Sequence, residues 1–163
     1  MKAAFCGSFD PVTLGHVNLI ERSAAVFERV AVFISRNSQK NSFCTDEQKL
    51  AWLQEACAHL DNVDVRIQNG LSVTAAREYG AGVMIRGIRD GSEVPYEANM
   101  AYLNQEIDPS IETLALFCKP EYAYISSSNV REFLKYNLSI EDFVPECVFR
   151  DLQPALYKAS RQK

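Results

Sequence analysis

Three short stretches of this sequence combine anion-binding groups with positions where the chain turns. The first, GSFDPVTLGH at positions 7–16, has a glycine that lets the backbone approach a ligand closely and ends on a histidine. Arg86 and Arg89 follow an apolar run, and their planar guanidinium groups suit phosphate oxygens. Three serines at positions 126–128 offer hydroxyls and free N–H groups at a predicted helix start. Together these residue types predict a site that binds phosphate groups.

These stretches contain no persuasive pair of nucleophile and general base. Donors and cations dominate instead, which favours positioning of a ligand and stabilisation of negative charge over covalent catalysis. His16 lies at the start of a predicted helix, where the helix dipole favours the neutral imidazole and leaves one N–H to donate. Ordinary alternatives exist for each group: a helix-capping histidine, a surface pair of arginines and a serine N-cap.

The elements that must position these residues follow from the hydrophobic pattern. Apolar runs predict strands at 1–6, 29–35, 63–67, 82–87 and 111–118, with helices between them and after the last. Thr45 and Gln48 have the spacing of a capping box, Ser72 is a candidate cap for a helix that ends near Gly80, and Pro154 predicts a break in the last helix. The pattern predicts an α/β fold: a single Rossmann-like domain over residues 1–163, with a five-stranded parallel sheet and helices on both faces.

Parallel central strands are buried on both sides, which explains apolar runs such as VMI and LALF. Ligands of such sheets bind at the carboxyl ends of the strands, near the point where the strand order reverses. The segments after the first, second, fourth and fifth predicted strands should therefore lie on one edge. These segments carry the three anion-binding stretches and Lys40.

Composition narrows the class of protein. The formal net charge of −4 argues against extensive nucleic-acid binding, although local clusters of arginine can still bind an anionic ligand. The apolar run at the N-terminus is broken by Gly7 and Asp10, and it is too short for a signal peptide or a membrane span. The five cysteines are odd in number and lack CxxC spacing, which favours reduced thiols in a cytoplasmic protein over disulfides or a zinc site.

GSFDPVTLGH resembles the signature of the nucleotidyltransferase superfamily, whose members adenylate or cytidylylate small phosphorylated molecules. Four separated elements are similar, in order and spacing, to one family of it, phosphopantetheine adenylyltransferase. They are the opening turn, Lys40, IRGIR (85–89) followed by YE (96–97), and YISSSNVRE (124–132). The likeness extends over nearly the whole chain.

This resemblance implies that ATP and 4'-phosphopantetheine are converted to dephospho-coenzyme A and pyrophosphate, with Mg²⁺ as cofactor. The acceptor phosphate is already ionised near neutral pH, so direct in-line attack needs neither a general base nor a covalent intermediate. The family also implies a homohexamer in the cytoplasm, with coenzyme A as a feedback inhibitor, and neither nucleic-acid nor membrane partners.

The resemblance also implies roles for individual residues. His16 is the expected catalytic donor to the α-phosphate. Expected at the ATP site are Ser8, Phe9, His16, Gly87, Ile88, Arg89, Glu97, Tyr122, Ala123, Tyr124, Ile125, Ser126, Ser127 and Ser128. Expected at the acceptor site are Ser8, Lys40, Ser72, Arg86, Tyr96 and Asn104. By position alone, Lys40 is better explained as a solvated loop lysine, and Glu97 equally well as an ordinary helix-surface glutamate.

Asp10 has the position of a turn residue that bonds nearby backbone N–H groups, and we favour this role over a metal ligand. The sequence predicts no metal site built from protein side chains, so phosphates and water should hold Mg²⁺.

Three positions depart from the family pattern. Cys6 stands where the family usually has proline, which could loosen the loop or place a reactive thiol near the site. Asn41 follows Lys40 where a second lysine is usual, and Asp90 adds a negative charge beside Arg89. We expect these changes to alter affinity rather than reaction type.

Alternative functions remain at this stage. Glycerol-3-phosphate cytidylyltransferases and nicotinamide mononucleotide adenylyltransferases share the opening motif, although ISSS and IRGIR favour the phosphopantetheine branch. A nucleotide-binding sensor on the same fold is possible because fold does not fix function. A purely structural protein would leave the clustering of cations and serines at strand ends unexplained.

Overall fold

The computed structural model describes residues 1–36 and 42–162. The strands are β1 (Lys2–Gly7), β2 (Arg29–Ser35), β3 (Val63–Gln68), β4 (Val83–Ile88) and β5 (Glu112–Phe117). The helices are α1 (Leu14–Val26), α2 (Asp46–Ala56), α3 (Ser72–Tyr79), α4 (Val94–Ile107), α5 (Ser127–Lys135), α6 (Glu146–Leu152) and α7 (Pro154–Ser160), with a short 3-10 helix at Pro120–Tyr122. The bounds of β2 coincide with the predicted ones.

All five strands are parallel, in the order β3-β2-β1-β4-β5. The chain lays down β1, β2 and β3 in one direction and then crosses back to place β4 and β5 on the other side of β1. The strand order therefore reverses between β1 and β4, and a crevice opens at their carboxyl ends. This arrangement confirms the predicted α/β, Rossmann-like fold class.

Successive strand residues point to opposite faces of the sheet, so each face has its own core. Phe5, Val32 and Ile85 pack on one face with residues of α1, α2, α5 and α6. Ala4 and Met84 pack on the other face with residues of α3. The predicted placement of helices on both faces is confirmed.

Local signals fix several helix ends. The hydroxyl of Thr45 accepts from the backbone N–H of Gln48, and the Gln48 side chain accepts from the backbone N–H of Thr45, which confirms the predicted capping box. Gly80 ends α3 with a left-handed φ of 78°, and Pro154 separates α6 from α7. The prediction that Ser72 caps α3 is wrong. Its hydroxyl lies among Ser35 and Gln68 instead, and the preceding leucine occupies the N-cap without a side-chain bond.

The expectation that LALF is buried on both sides is also wrong. β5 is the last strand in the order, so no further strand shields its outer edge. Leu114 is 45% exposed and Phe117 is 66% exposed. The neighbouring α4 contributes no buried residue, and it leaves an apolar surface uncovered beside this edge.

Over residues 1–36 and 42–162, the helices are too short or too polar to cross a membrane.

Candidate active site

A cavity of about 410 Å³ lies at the carboxyl ends of β1 and β4, where the strand order reverses. Its walls come from the opening turn, the start of α1, the end of β4, the start of α4, and the segment from β5 into α5. Three of the four segments expected on this edge thus meet around one cavity. The fourth contains Lys40, which lies outside the described residues.

The opening turn is shaped by Gly7 and Phe9. Phe9 has a φ of 49°, a left-handed conformation that bulky side chains rarely adopt, and its ring is fully buried. A Cβ atom on Gly7 would lie 3.1 Å from the Phe9 ring, so only glycine fits without displacing the ring. Strained backbone of this kind concentrates at functional sites, and here it presents Ser8 to the cavity.

His16 is held by the helix start that it helps to form. Thr13 is the N-cap of α1, and its hydroxyl accepts from the backbone N–H of His16. In return, the backbone N–H of Thr13 donates to His16 Nδ1 at 3.1 Å. Nδ1 is therefore an acceptor without a proton, which places the proton of the neutral ring on Nε2. The Phe9 ring packs edge-on against the imidazole, with ring centroids 5.0 Å apart.

The charge state of His16 follows from its surroundings. Burial, with a smaller contribution from the Arg89 charge, lowers its pKa from 6.5 to about 4. The imidazole is thus neutral at neutral pH. Since His16 lines the cavity, it is suited to donate one hydrogen bond rather than to accept a proton.

Arg86 is fixed before any ligand arrives. Its Nε and one terminal nitrogen donate to both carboxylate oxygens of Glu97, at 2.6 and 2.9 Å, and the other terminal nitrogen donates to the Cys6 carbonyl at 3.0 Å. The hydrogen bonds and charge of Glu97 raise the pKa of Arg86, and they outweigh burial, which lowers it. Both terminal nitrogens retain an N–H beyond these bonds.

Arg89 pairs with a residue that the sequence analysis did not single out. Its guanidinium donates to Glu93, four residues further along the chain, and Glu93 also accepts from the Arg89 backbone N–H at 2.8 Å. The negative charge that pairs with Arg89 is therefore that of Glu93, whereas the sequence analysis expected it from Asp90. Asp90 instead accepts from the Ser92 backbone N–H.

The serines of α5 contribute in different ways. The Ser126 side chain is the N-cap and accepts from the Asn129 N–H, while the Ser127 hydroxyl donates to the Pro11 carbonyl at 2.8 Å. Ser128 contacts Arg131, which also donates to the carbonyl of Asp10 in the opening turn. The helix start is thereby tied to the turn across the cavity.

Most of the predicted site residues meet at this cavity. They are Ser8, Phe9, His16, Arg86, Gly87, Arg89, Glu97, Tyr122, Ile125, Ser126, Ser127 and Ser128. The others lie outside its wall: Ile88 is buried, Tyr96 and Tyr124 are mostly exposed, and Ala123, Asn104 and Ser72 are partly exposed. The Ser72 hydroxyl lies 3.4 Å from both the Ser35 hydroxyl and the Gln68 side-chain amide nitrogen. The roles of all these residues stay predictions.

Several wall residues were not among the predicted site residues, and they include Thr13, Glu93, Cys118 and Arg131. Two of them had a sequence signal. Glu93 is an acidic residue close after Arg89 in the sequence, and Arg131 lies three residues after the serine run at 126–128, the spacing of neighbours on one helix face. No comparable pattern marks Cys118.

The thiol that replaces proline is not a reactive one. Burial raises the pKa of Cys6 to about 11, and the neighbouring Ser72 hydroxyl and the charge of Arg86 only partly offset this effect. The thiolate that nucleophilic chemistry requires is therefore scarce at neutral pH. All five cysteines are free.

The expectation that Asp10 bonds nearby backbone is wrong. Its carboxylate accepts the backbone N–H groups of Phe43 at 2.9 Å and Cys44 at 2.8 Å, more than thirty residues along the chain. Asp10 lies beside this distant segment and accepts hydrogen bonds from its backbone N–H groups. The periodicity of the sequence does not reveal such a contact. In the described part of the chain, His, Cys, Asp and Glu side chains do not gather in threes around a potential metal position.

The cleft lies where the strand order of a parallel sheet reverses, and it contains a neutral donor, two arginines and serine hydroxyls. These features are typical of enzymes of the nucleotide-binding α/β class that act on phosphate groups. The sequence profile of the cytidylyltransferase-like family matches residues 4–133.

Relatives extend this match to nearly the full chain. A phosphopantetheine adenylyltransferase of Streptococcus gordonii is 43% identical, over 94% of this chain and 94% of its own length. Relatives with the same name from Finegoldia magna and a Synechococcus strain are each 41% identical, over 93% and 94% of this chain. The chain therefore belongs to the cytidylyltransferase-like family and, within it, to the phosphopantetheine adenylyltransferases.

Proposed function

We propose that this enzyme transfers the adenylyl group of ATP to 4'-phosphopantetheine. A phosphate oxygen of the acceptor attacks the α-phosphorus of ATP, the bond from that phosphorus to the β-phosphate oxygen breaks, and pyrophosphate leaves. Dephospho-coenzyme A is the other product. The names of the relatives, which match this chain over nearly its full length, support the choice of substrates.

One observation carries the reaction type. The bond from the Thr13 N–H to His16 Nδ1 leaves the Nε2 proton of a neutral imidazole available at the cavity wall. A fixed donor of this kind stabilises charge that develops on the α-phosphate during attack. The acceptor phosphate needs no base because it is already ionised near pH 7.

The remaining wall residues have roles consistent with this chemistry. Arg86, fixed by Glu97, directs its remaining N–H groups towards the acceptor phosphate. Arg89 binds ATP phosphates when it exchanges its ion pair with Glu93 for them. Lys40 supplies a further cation for the acceptor phosphate.

The residues of this site fit a Mg²⁺ ion that is bound to the phosphates of the nucleotide. Mg²⁺ usually keeps several waters and binds through substrate phosphates, and the wall offers cations and hydroxyls rather than a set of carboxylates. Bound to the phosphates, the ion would supply positive charge that neutralises part of theirs.

The cellular setting also belongs to the proposal. Five free thiols suit the reducing cytoplasm. The apolar surface of α4 and β5 suits burial against further copies of the chain in a homohexamer. Coenzyme A contains both the pantetheine and the adenylate parts of the substrates, so it is expected to compete for the same cleft as a feedback inhibitor.

Pyrophosphate release by the purified protein tests the choice of substrates. The three mixtures are ATP with 4'-phosphopantetheine, CTP with glycerol 3-phosphate, and ATP with nicotinamide mononucleotide, each with and without Mg²⁺. We expect Mg²⁺-dependent release in the first mixture only. Release in another mixture would keep the reaction type and change the substrate, whereas silence in all three would favour a nucleotide sensor.

A further inference from the structure

Lys49 is a buried lysine that the chemistry described so far does not use. It lies in α2, outside the cavity wall, and its side chain is only 3% exposed. Burial of an ammonium group is costly unless the charge is paired and hydrogen-bonded. The contacts that compensate this burial therefore indicate what the residue holds in place.

The partners of Lys49 come from two separate segments. Its ammonium donates to the hydroxyl of Ser42 and lies 3.5 Å from the carboxylate of Asp46. It also lies 3.8 Å from the carboxylate of Asp10, in the opening turn. Asp46 is bonded in turn by Arg36 at 2.6 Å, at the end of β2. One buried cation thus joins the opening turn to residues on both sides of positions 37–41.

Asp10 completes this connection. It accepts the N–H groups of Phe43 and Cys44, and its backbone carbonyl accepts from Arg131 of the cavity wall. Burial opposes ionisation of Asp10, but these N–H groups and the Lys49 charge outweigh it and hold its pKa below the usual value. The carboxylate is therefore ionised at neutral pH and attracts Lys49.

We propose that Lys49 is a positioning residue for the reaction. By holding Asp10, Ser42 and Asp46 together, it fixes the opening turn relative to the segment at 42–46. The inference rests on the proposed function because its kinetic test uses that reaction. The sequence places Lys40, the expected ligand of the acceptor phosphate, just before this segment, so the effect should fall mainly on the acceptor.

Kinetics of Lys49→Met give the first test. Methionine keeps the length of the side chain and removes the charge. We expect kcat/KM for 4'-phosphopantetheine to fall by roughly ten- to a hundredfold, the scale on which small misplacements slow an enzyme, with a larger rise in KM for the acceptor than for ATP. Lys49→Arg should restore most of the loss because it keeps the charge.

Lys135→Met is the matched control. Lys135 lies 3.8 Å from Glu132, the same separation as Lys49 from Asp10, but its side chain is 67% exposed. We expect its kinetic constants to equal those of the unaltered protein. If Lys49→Met changes only the melting temperature and leaves both KM values unchanged, Lys49 is merely structural and the proposal is wrong.

Hydrogen exchange at the amides of Phe43 and Cys44 tests the proposal without any reaction. We expect faster exchange in Lys49→Met and unchanged exchange in Lys135→Met, since these amides bond to Asp10. If Lys49→Met does not fold, Asp46→Asn replaces it with the same expectations for kinetics and exchange. Unchanged exchange at both amides would overturn the proposal. If the proposed function itself is wrong, the protein without any substitution will be inactive with ATP and 4'-phosphopantetheine.

Discussion

At the scale of single residues, the account depends on the protonation of His16. The Thr13 N–H selects the tautomer and burial keeps the ring neutral, so one side chain is both a helix cap and a directed donor. The two explanations considered for this histidine from sequence, a cap and a catalytic donor, are therefore compatible. The Nδ1 side forms the cap and the Nε2 side remains for the ligand.

Removal of this donor should slow the reaction strongly. We expect His16→Ala to lower kcat by roughly 10²–10³, the usual effect of losing one donor to a developing negative charge. The chain offers a matched control in its other histidine, His59, which pairs with Glu21 and is 56% exposed. His59→Ala should keep the activity of the unaltered protein, and an equal loss in both variants would contradict the assignment.

The lowered pKa of His16 also predicts a pH dependence of stability. Between pH 6.5 and about 4, the unfolded chain binds a proton at this position that the folded chain does not. The stability that neutral His16 provides is therefore fully present above pH 6.5 and is lost as the pH falls towards 4. Denaturant unfolding should show a larger loss between pH 7 and pH 5 for the unaltered protein than for His16→Asn. Equal losses would mean that the ring titrates normally.

At the scale of elements, the contact between α1 and β4 places His16 opposite the arginines. Gly87, at the end of β4, faces Leu19 of α1, and a Cβ atom at this position would lie only 2.4 Å from Leu19 Cδ1. Leu19 is 4% exposed, so its side chain would have to shift among packed neighbours to admit this atom. The absence of a side chain at position 87 thus sets how closely the helix approaches the strand.

An alanine at this position should be destabilising. We expect Gly87→Ala to lower the free energy of unfolding by about 1–3 kcal/mol, as overpacking of a core usually does. Gly82→Ala, at a site with open space around the added atom, should be close to neutral. Thermal unfolding of both variants and of Gly87→Ala/Leu19→Ala checks the cause. The double variant should recover part of the loss, and no recovery would place the strain elsewhere.

Much of the fold was predictable from local signals, because strand periodicity, the Thr45 capping box and Pro154 act over a few residues. The resemblance of the four motifs to a known family also identified site residues, most of which line one cavity. Contacts between distant segments were not predictable in this way. Asp10 satisfies amides more than thirty residues away, and the Ser72 hydroxyl turns towards β2 and β3. Such partners depend on how the elements pack, which a periodic pattern does not specify.

At the scale of the whole molecule, α4 and β5 expose apolar side chains to solvent, which is unfavourable for a single chain in water. Exposed apolar side chains there are Val94, Tyr96, Tyr102, Leu103, Ile107, Leu114 and Phe117. Contiguous apolar surface of this kind marks interaction sites in soluble proteins. Further copies of the same chain are the partners that the proposed homohexamer supplies.

A charge on this surface should disrupt assembly. We expect Leu103→Glu to reduce the molar mass measured by light scattering, because the glutamate would be buried without a partner at the interface. Leu156→Glu is the control, since Leu156 lies in α7 and is 42% exposed against 51% for Leu103. A hexamer that persists in Leu103→Glu would place the interface on another surface.

The central claim is that an oxygen of the acceptor phosphate bonds to the α-phosphorus of ATP while pyrophosphate leaves. The most direct test uses 4'-phosphopantetheine labelled with ¹⁸O at the non-ester oxygens of its phosphate, together with unlabelled ATP and Mg²⁺, and mass spectrometry of both products. The account predicts dephospho-coenzyme A that retains the full label and pyrophosphate that carries none. Label in pyrophosphate, or loss of label from dephospho-coenzyme A to water, would contradict attack of the acceptor oxygen at the α-phosphorus.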